Sequence, residues 1–190
     1  MNIIPTDIEG VLIIEPQIFR DPRGYFLESW SRRKFEENVG HVDFCQDNES
    51  MSAYGVMRGL HFQYPPYSQS KLVRCIMGTV LDVAVDIRKG SPTYGKHVAV
   101  ELSQDNHRQL FIPKGFAHGF SVLSKSAIFQ YKCDAFYHPE AEGGISILDK
   151  SLGIDWKIPD ECAILSRKDT ERKNLKDFDS PFSDQMDIKL

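Results

Sequence analysis

The chain has 190 residues, of which 41% are hydrophobic and 26% charged, a balance typical of a globular protein and unlike that of a disordered one. At this length one domain can bury a core without a disulfide or a structural metal. The net charge of -4 argues against nucleic-acid binding, although a local cluster of Arg and Lys can still hold an anionic ligand.

Short runs typical of β-strands alternate with turn signals along most of the chain. The first are VLIIEP (11–16) and GYFLESW (24–30), and a helix is predicted next over 31–39, with Ser31 as its cap and Gly40 as its stop. Further strands are predicted over residues 71–77, 79–87, 97–102, 108–113, 118–124 and 127–133.

Many short strands joined by turns rich in Gly and Pro indicate an antiparallel sandwich or barrel. Strand 79–87 alternates most clearly, with Leu81 and Val83 on one face and Asp82 and Asp86 on the other.

From about residue 159 the chain becomes polar and includes the charged run SRKDTERKNLKDFDS. We expect this tail to wrap the surface as short helices and loops, docked in places by Leu165 and Phe178. Because no repeat and no linker divides the sequence, we predict a single domain over residues 1–190.

The cysteines Cys45, Cys75, Cys133 and Cys162 are scattered and form no CxxC pair, so we expect reduced thiols in a cytoplasmic protein. The first residues, MNIIPTDIEG, contain neither a basic segment nor a long apolar stretch. We therefore expect neither a signal peptide nor a membrane span.

The segment RGLHFQ places Arg58 close to His61, and Lys71 opens the next predicted strand. A single histidine is more often structural than functional, and a lysine at the start of a strand is usually solvated. These three residues become candidates because they cluster in a stretch otherwise rich in Tyr, Pro and Gln.

Two later segments add a histidine and a tyrosine. His118 follows the turn in PKGFAHGF and alternates onto one strand face with Phe120. Tyr131 shares an apolar strand face with Phe129 and Cys133, and a buried tyrosine normally needs a hydrogen-bond partner. A core tyrosine that has such a partner is the alternative to a functional one.

The histidine spacing does not fit a metal site of the cupin type. Such a site uses a His-x-His pair, a nearby carboxylate and a later histidine, whereas this chain reads His61-Phe62-Gln63. His118 alone leaves too few ligands, so no metal is predicted. Neither a GxGxxG nor a P-loop pattern occurs, which argues against a dinucleotide cofactor.

Seven blocks follow one another along nearly the whole chain: FRDPRGYFLESW (19–30), QDNES (46–50), GVMRGLHFQ (55–63), KLVRCIMGTVLDVAVDIRKGSPTYG (71–95), LFIPKGFAHGF (110–120), YKCDAFYHPEAEGGI (131–145) and LSRKD (165–169). In this order they resemble the dTDP-4-dehydrorhamnose 3,5-epimerase family. No single block is decisive, but their joint order is highly specific.

The resemblance implies a mainly β fold, a jelly-roll or cupin-like double-stranded β-barrel with a few short helices, and a cytoplasmic homodimer without metal or other cofactor. It implies inversion of C3 and C5 of dTDP-4-dehydro-6-deoxy-D-glucose, which gives dTDP-4-dehydro-L-rhamnose on the route to dTDP-L-rhamnose. The implied partners are this sugar nucleotide and a second copy of the chain, not nucleic acid or a membrane.

The resemblance also implies roles for individual residues. His61 would accept the proton in a dyad with Asp169, Tyr131 would donate a proton, and Lys71 would lie near the C4 oxygen. The substrate-binding positions of the family match Arg23, Glu28, Gln46, Asn48, Arg58, His118, Glu142 and Lys168.

These residue types suit the reaction. A ketone at C4 acidifies the hydrogens on C3 and C5, and inversion needs a base on one face of the sugar and an acid on the other. Histidine, with an unperturbed pKa of about 6.5, serves as base near neutral pH, while tyrosine, at about 10, keeps a proton to donate. A lysine can stabilise the enolate oxygen.

The nucleotide end of the substrate needs different groups. Guanidinium pairs bidentately with phosphate, so Arg23 and Arg58 suit the diphosphate. Gln46 and Asn48 offer donors and acceptors for the edge of thymine. Arg23 belongs to an N-terminal segment that we expect can exchange between protomers.

Two alternatives stay open at this point. Related enzymes epimerise only C3 or only C5 of similar dTDP-ketosugars, although the set His61, Lys71, Tyr131 and Asp169 favours action on both. A metal-free cupin that only binds a sugar nucleotide would need no His–Asp dyad facing a tyrosine.

Overall fold

A computed structural model describes residues 1–184 as a mainly β protein. The strands are β1 (Asn2–Pro5), β2 (Leu12–Glu15), β3 (Ile18–Asp21), β4 (Gly24–Leu27), β5 (Gln46–Ala53), β6 (Met57–Gln63), β7 (Lys71–Met77), β8 (Thr79–Asp86), β9 (His97–Ser103), β10 (Gln109–Ile112), β11 (Phe116–Val122), β12 (Ser126–Cys133) and β13 (Glu142–Gly144). The α-helices are α1 (Arg32–Asn38) and α2 (Arg167–Thr170), and single 3-10 turns span Pro139–Ala141, Lys150–Leu152, Asp160–Cys162 and Leu175–Asp177.

The strands form two large antiparallel sheets and one hairpin. The six-stranded sheet has the order β1-β2-β10-β7-β12-β5, the five-stranded sheet has the order β13-β6-β11-β8-β9, and β3 pairs with β4 alone. The mainly β prediction is confirmed. The predicted barrel, however, is an open jelly-roll sandwich in the described residues, because each sheet pairs only within itself and keeps two edges.

One apolar cluster joins the inner faces of the two sheets. Val73 and Phe129 reach it from the six-stranded sheet, and Val80, Ala84 and Phe120 reach it from the five-stranded sheet. The valine and phenylalanine side chains suit a pleated surface that is buried, and the packing of the cluster sets the gap between the sheets.

Strand β8 is buried on both faces. Leu81 and Val83 point to the outer face of the sheet and pack there with the C-terminal tail. They alternate with the aspartates, as the sequence pattern predicts. Asp82 and Asp86 are fully buried on the inner side. The polar face of the alternation is therefore the interior of the protein, not its surface.

The C-terminal tail covers the outer face of the five-stranded sheet. Trp156, Phe178 and Phe182 pack on it, and Ser121 Oγ donates a hydrogen bond of 2.7 Å to the Trp156 carbonyl. Residues 185–190 of the predicted tail lie outside the described residues. None of the helices in residues 1–184 is long and apolar enough to cross a membrane.

Helix α1 covers the outer face of the other sheet and begins where the sequence predicts. Ser31 caps it by accepting a hydrogen bond from the Lys34 amide, and Gly40, at a φ of 142°, donates its amide to the Phe35 carbonyl as the chain leaves the helix. Phe35 buries its ring against Phe111.

Candidate functional site

One cavity of about 680 Å³ is lined by both large sheets and by α2. Its volume suits a small organic ligand. All the residues singled out from the sequence except Arg23 and Glu28 line it, namely His61, Lys71, Tyr131, Asp169, Gln46, Asn48, Arg58, His118, Glu142 and Lys168.

The two sheets contribute different chemical groups. His61 and His118 are register partners on β6 and β11 of the five-stranded sheet. Lys71 on β7 and Tyr131 on β12 belong to the six-stranded sheet, where Tyr131 is paired with Asn48 of β5. The cavity therefore has a histidine wall and, opposite it, a wall with a lysine and a tyrosine.

A close backbone contact joins the strands that carry the two histidines. The pairing of β6 with β11 shifts register between His118 and Phe120, and a Cβ added to Gly119 would lie 2.6 Å from the Arg58 carbonyl oxygen. Only glycine fits there, which accounts for the glycine beside His118.

His61 forms a dyad with a buried aspartate. Its Nε2 lies 2.5 Å from Asp169 Oδ1, and because an ionised carboxylate only accepts, Nε2 carries the proton. The Ser166 hydroxyl donates to Asp169 Oδ2 at 2.8 Å. Nδ1 of His61 makes no hydrogen bond within residues 1–184, so the second ring nitrogen is free to accept a proton.

The surroundings of Asp169 keep it ionised. Burial acts to raise the pKa of this carboxyl, but the hydrogen bond and charge of His61, the Ser166 hydroxyl and the charge of Arg172 outweigh burial, and the pKa lies below its ordinary value. The serine reaches Asp169 because it caps α2, whose first turn carries the aspartate.

His118 has a carboxylate partner of its own. Its Nε2 lies 2.7 Å from Asp82 Oδ1, and both side chains are buried. Burial is the main cause of the lowered pKa of His118, the charges of Lys71 and His61 lower it further, and Asp82 opposes them. The second oxygen of Asp82 has no hydrogen-bond partner in the described part of the chain.

Lys71 and Tyr131 present unpaired polar groups on the opposite wall. The Lys71 Nζ lies 5.9 Å from the centre of the Tyr131 ring, and neither side chain has a hydrogen bond or ion pair within residues 1–184. Burial lowers the pKa of Lys71, against the opposing charges of Cys133, Asp82 and Glu142. Burial raises the pKa of Tyr131, so the phenol holds its proton at neutral pH.

Glu142 forms the centre of a charged corner at the cavity rim. Its carboxylate pairs with Lys168 at 2.5 Å and with Arg172 at 3.1 Å, and accepts a hydrogen bond of 2.7 Å from the Tyr137 hydroxyl. Burial acts to raise the pKa of Glu142, but Lys168, Tyr137 and the charge of His61 bring it below its ordinary value.

Amide side chains line the part of the cavity next to Tyr131. The Gln46 amide donates to Asn48 Oδ1 at 2.9 Å, while its carbonyl oxygen accepts from the Tyr137 backbone amide at 3.0 Å. Arg58 donates its Nε–H to the Ser52 hydroxyl at 3.2 Å, which leaves its other guanidinium donors for a ligand.

Arg23 and Glu28 lie outside this cavity. Arg23 is in the turn of the β3–β4 hairpin, ion-paired with Asp21 at 2.5 Å and largely exposed, and Glu28 pairs with Lys34 of α1 at 2.8 Å. A single copy of the chain does not bring them to His61, so their predicted part in binding stays a prediction.

The cavity has no ready set of metal ligands. No group of three or more His, Cys, Asp or Glu side chains suited to a metal occurs within residues 1–184. Gln63, at the position of the second histidine of a cupin pair, donates to the Tyr67 and Phe136 carbonyls and accepts from the His138 amide. Its amide is fully used in holding two loops at the rim.

Several residues of the site did not stand out in the sequence. Tyr137 and Arg172 contact Glu142 in the folded protein, but no pattern in the sequence links them to it. For Asp82 the sequence revealed only an alternation with apolar residues. Ser166 carried a usable signal, because a serine three residues before Asp169 matches a helix cap.

Comparison with known proteins identifies relatives over almost the whole chain. A family model described as dTDP-4-dehydrorhamnose 3,5-epimerase matches residues 5–177. The dTDP-4-dehydrorhamnose 3,5-epimerase of Shigella flexneri is 55% identical over 180 residues, which cover 94% of this chain and 98% of that protein.

Solved structures share the fold. The dTDP-6-deoxy-D-glucose-3,5-epimerase of Legionella pneumophila, in complex with dTDP-4-keto-L-rhamnose, has a TM-score of 0.90 and 52% identity, covering 94% of each chain. A 3'-monoepimerase from Streptomyces bikiniensis, in complex with dTDP-quinovose, has a TM-score of 0.85 and 33% identity, covering 90% of this chain and 87% of that one.

The dyad predicts a pH-dependent contribution to stability. Because the pKa of Asp169 is lowered in the folded protein, its ionised form stabilises the fold above the unfolded-state pKa of about 3.9, and this contribution is lost as the pH falls through the folded-state value. We expect the free energies of unfolding of the wild type and Asp169→Asn to differ near neutral pH and to converge in acid. Urea unfolding across this pH range measures the difference.

The control for this measurement is Asp105→Asn, at an exposed position, which should leave the pH dependence unchanged. Curves for Asp169→Asn and the wild type that stay parallel down to the lowest pH would contradict a stabilising dyad.

Proposed function

The chain belongs to the dTDP-4-dehydrorhamnose 3,5-epimerase family and is an isomerase, and we propose that His61 and Tyr131 carry out its proton transfers on a dTDP-4-keto-6-deoxyhexose. The substrate is dTDP-4-dehydro-6-deoxy-D-glucose and the product is dTDP-4-dehydro-L-rhamnose, used in dTDP-L-rhamnose biosynthesis. The residues act as base and acid without a redox step, because each inversion only removes and returns a proton.

The observation that carries this proposal is the position of His61 and Tyr131 on opposite walls of one cavity. Inversion requires that a proton leaves one face of a carbon and another arrives on the opposite face. A sugar ring held between the two sheets has one face toward the histidine and the other toward the tyrosine.

The base is the Nδ1 atom of His61. Asp169 accepts the Nε2 proton, which fixes the tautomer and stabilises the imidazolium that forms when Nδ1 takes a proton from C3 or C5. Proton abstraction places negative charge on the C4 oxygen as an enolate. The unpaired ammonium of Lys71 is the group that stabilises this charge, in a site where burial makes the interaction strong.

The acid is the Tyr131 hydroxyl. Its raised pKa keeps the proton on oxygen until a more basic enolate carbon lies next to it. The absence of a hydrogen-bond partner within residues 1–184 leaves this proton available to the substrate.

The remaining residues of the cavity bind the substrate in this proposal. Arg58 and Lys168 offer cations to the diphosphate, and Gln46 and Asn48 offer amide groups to the thymine edge. Glu142 and His118 complete the binding set. The cysteines in the chain are free, which suits a reducing compartment, so we place the enzyme in the cytoplasm.

The enzyme works as a homodimer in this proposal, and the β3–β4 hairpin of one copy supplies Arg23 and Glu28 to the cavity of the other. The hairpin supports this assignment because it belongs to neither large sheet and exposes Phe19, Tyr25 and Phe26 to solvent. Clustered exposed aromatic side chains are typical of protein interfaces.

A single-carbon epimerase is the second candidate function. It is favoured by one observation, the shared fold of the Streptomyces bikiniensis 3'-monoepimerase. NMR analysis of which carbons of the substrate gain deuterium and change configuration in deuterated water separates the two.

Variants of the base and the acid should fail in different ways. We expect His61→Asn to lose both proton exchange and epimerisation, by at least about 10²–10⁴-fold, because no group remains to form the enolate. Tyr131→Phe keeps the ring but loses the donor, so it should still exchange deuterium into C3 or C5 through His61 and yield little inverted product. Deuterium content and product stereochemistry, both read by NMR, measure the difference.

The control is Tyr64→Phe, which removes a hydroxyl from a half-exposed ring outside the cavity and should keep both activities. If Tyr131→Phe lost exchange and inversion together while folding normally, the assignment of acid and base would be wrong.

Removal of metal ions should leave the activity unchanged. Both histidines of the cavity are engaged by aspartates, and the Gln63 amide is bound to backbone groups, so the site offers no ligand set for a divalent ion. Activity after dialysis against a chelator measures this. A loss that a divalent ion restores would overturn the metal-free mechanism.

Mixed dimers test whether the cavity is shared between copies. In a dimer of Arg23→Ala with His61→Asn, the cavity that retains His61 receives Arg23 from the other copy, so we expect recovery of one working site in two. A mixture of His61→Asn with Asp169→Asn is the control. Each of these changes disables the cavity of the copy that carries it, so the mixed dimer has no working site. Equal activity in both mixtures would count against sharing.

A further inference from the structure

Two cations and two carboxylates meet beside His61, and they differ in exposure. Glu142 pairs with both Lys168 and Arg172, and Asp169 of α2 lies three residues before Arg172 in the chain. The Lys168 side chain is 55% exposed, whereas that of Arg172 is 19% exposed. Both cations act on this corner, and water screens the charge of Arg172 less than that of Lys168.

Arg172 lies against the strand pair that carries the base. Its Nη2 donates to Glu142 Oε1 at 3.1 Å, and its Nε would lie 3.2 Å from a Cβ added to Gly144. Gly144 on β13 is the register partner of His61 on β6. The guanidinium therefore packs over the backbone next to His61.

The arginine is not fully satisfied by hydrogen bonds. Its Nε is buried and has no partner within residues 1–184, and an unpartnered buried donor destabilises a fold. A neutral side chain of similar shape would avoid this cost, so stability alone does not explain a charged residue at this position. Its charge does reach the dyad, since it helps to lower the pKa of Asp169.

We propose that Arg172 is a positioning residue, whose buried charge offsets Glu142 and Asp169 and thereby limits the proton affinity of His61. This inference rests on the proposed role of His61 as base. Two carboxylates near an imidazole favour its charged form, and a base that is already protonated cannot accept a proton from the substrate.

Other ionisable groups also surround His61, and their charges act on it in either direction. They are Arg58 of β6, Asp169 and Lys168 of α2, Glu142 of β13, His118 of β11, Lys71 of β7, Tyr131 of β12 and Tyr137. Each of these groups except Tyr137 is placed in catalysis or binding by the proposed function. Arg172 does not line the cavity, so its charge can be removed without removing a ligand contact.

The test is an NMR titration of the His61 ring in the protein without substrate. We expect Arg172→Gln to raise the titration midpoint by about half a unit to one unit, since a nearby charge is removed. Arg172→Lys should restore most of the shift. Arg167→Gln is the matched control, because it removes the same charge from a nearby side chain, in α2, that is 90% exposed, and it should leave the midpoint unchanged.

The pH profile of kcat/KM gives the second measurement. The acid limb of Arg172→Gln should move to higher pH by the same amount as the titration midpoint, with little change at high pH. If Arg172→Gln fails to fold, Arg172→Met provides a neutral side chain with an apolar stem for the same comparison.

The outcomes distinguish this inference from the proposed function. An unchanged His61 midpoint in a folded neutral variant overturns the role of Arg172. A midpoint that moves while the acid limb of kcat/KM stays in place supports the effect of Arg172 on His61 and instead overturns the role of His61 as base.

Discussion

The packing of the two sheets against each other is the constraint on which the rest of the structure depends. Val73 and Phe129 of one sheet meet Val80 and Phe120 of the other, and this apolar contact holds the sheets at a fixed separation. The cavity lies within the same gap, so each wall presents its side chains to one face of a bound ligand. The proposed proton donor and acceptor are separated because the strands that carry them belong to different sheets.

Burial in this gap has an electrostatic consequence. Lys71 and His118 both lose affinity for protons through desolvation, and Tyr131 holds its proton more firmly for the same reason. Carboxylates then act on the two histidines, because Asp82 opposes the effect of burial on His118 and Asp169 accepts the Nε2 proton of His61. The strands set where the side chains lie, and the neighbouring carboxylates and cations set the protonation states that the chemistry needs.

The sequence predicts most clearly what depends on neighbouring residues in the chain. Helix α1 follows from the cap at Ser31 and the glycine at 40, and the strands over 71–77 and 127–133 follow from apolar runs between turns. Strand β5 was not predicted, because QDNES is polar and pairs with β12 at the edge of its sheet. The corner around Glu142 depends on contacts between β13 and the distant tail, which no local pattern contains.

The fold alone does not determine how many carbons are inverted. The 3,5-epimerase from Legionella pneumophila and the 3'-monoepimerase from Streptomyces bikiniensis both superpose closely on this chain. A single histidine and a single tyrosine can serve both C3 and C5 only if the ring is held so that each carbon in turn lies between them, with the C4 oxygen still next to Lys71. The choice between one carbon and two therefore depends on the side chains that hold the sugar and nucleotide, and not on the sheets that separate the proposed base from the proposed acid.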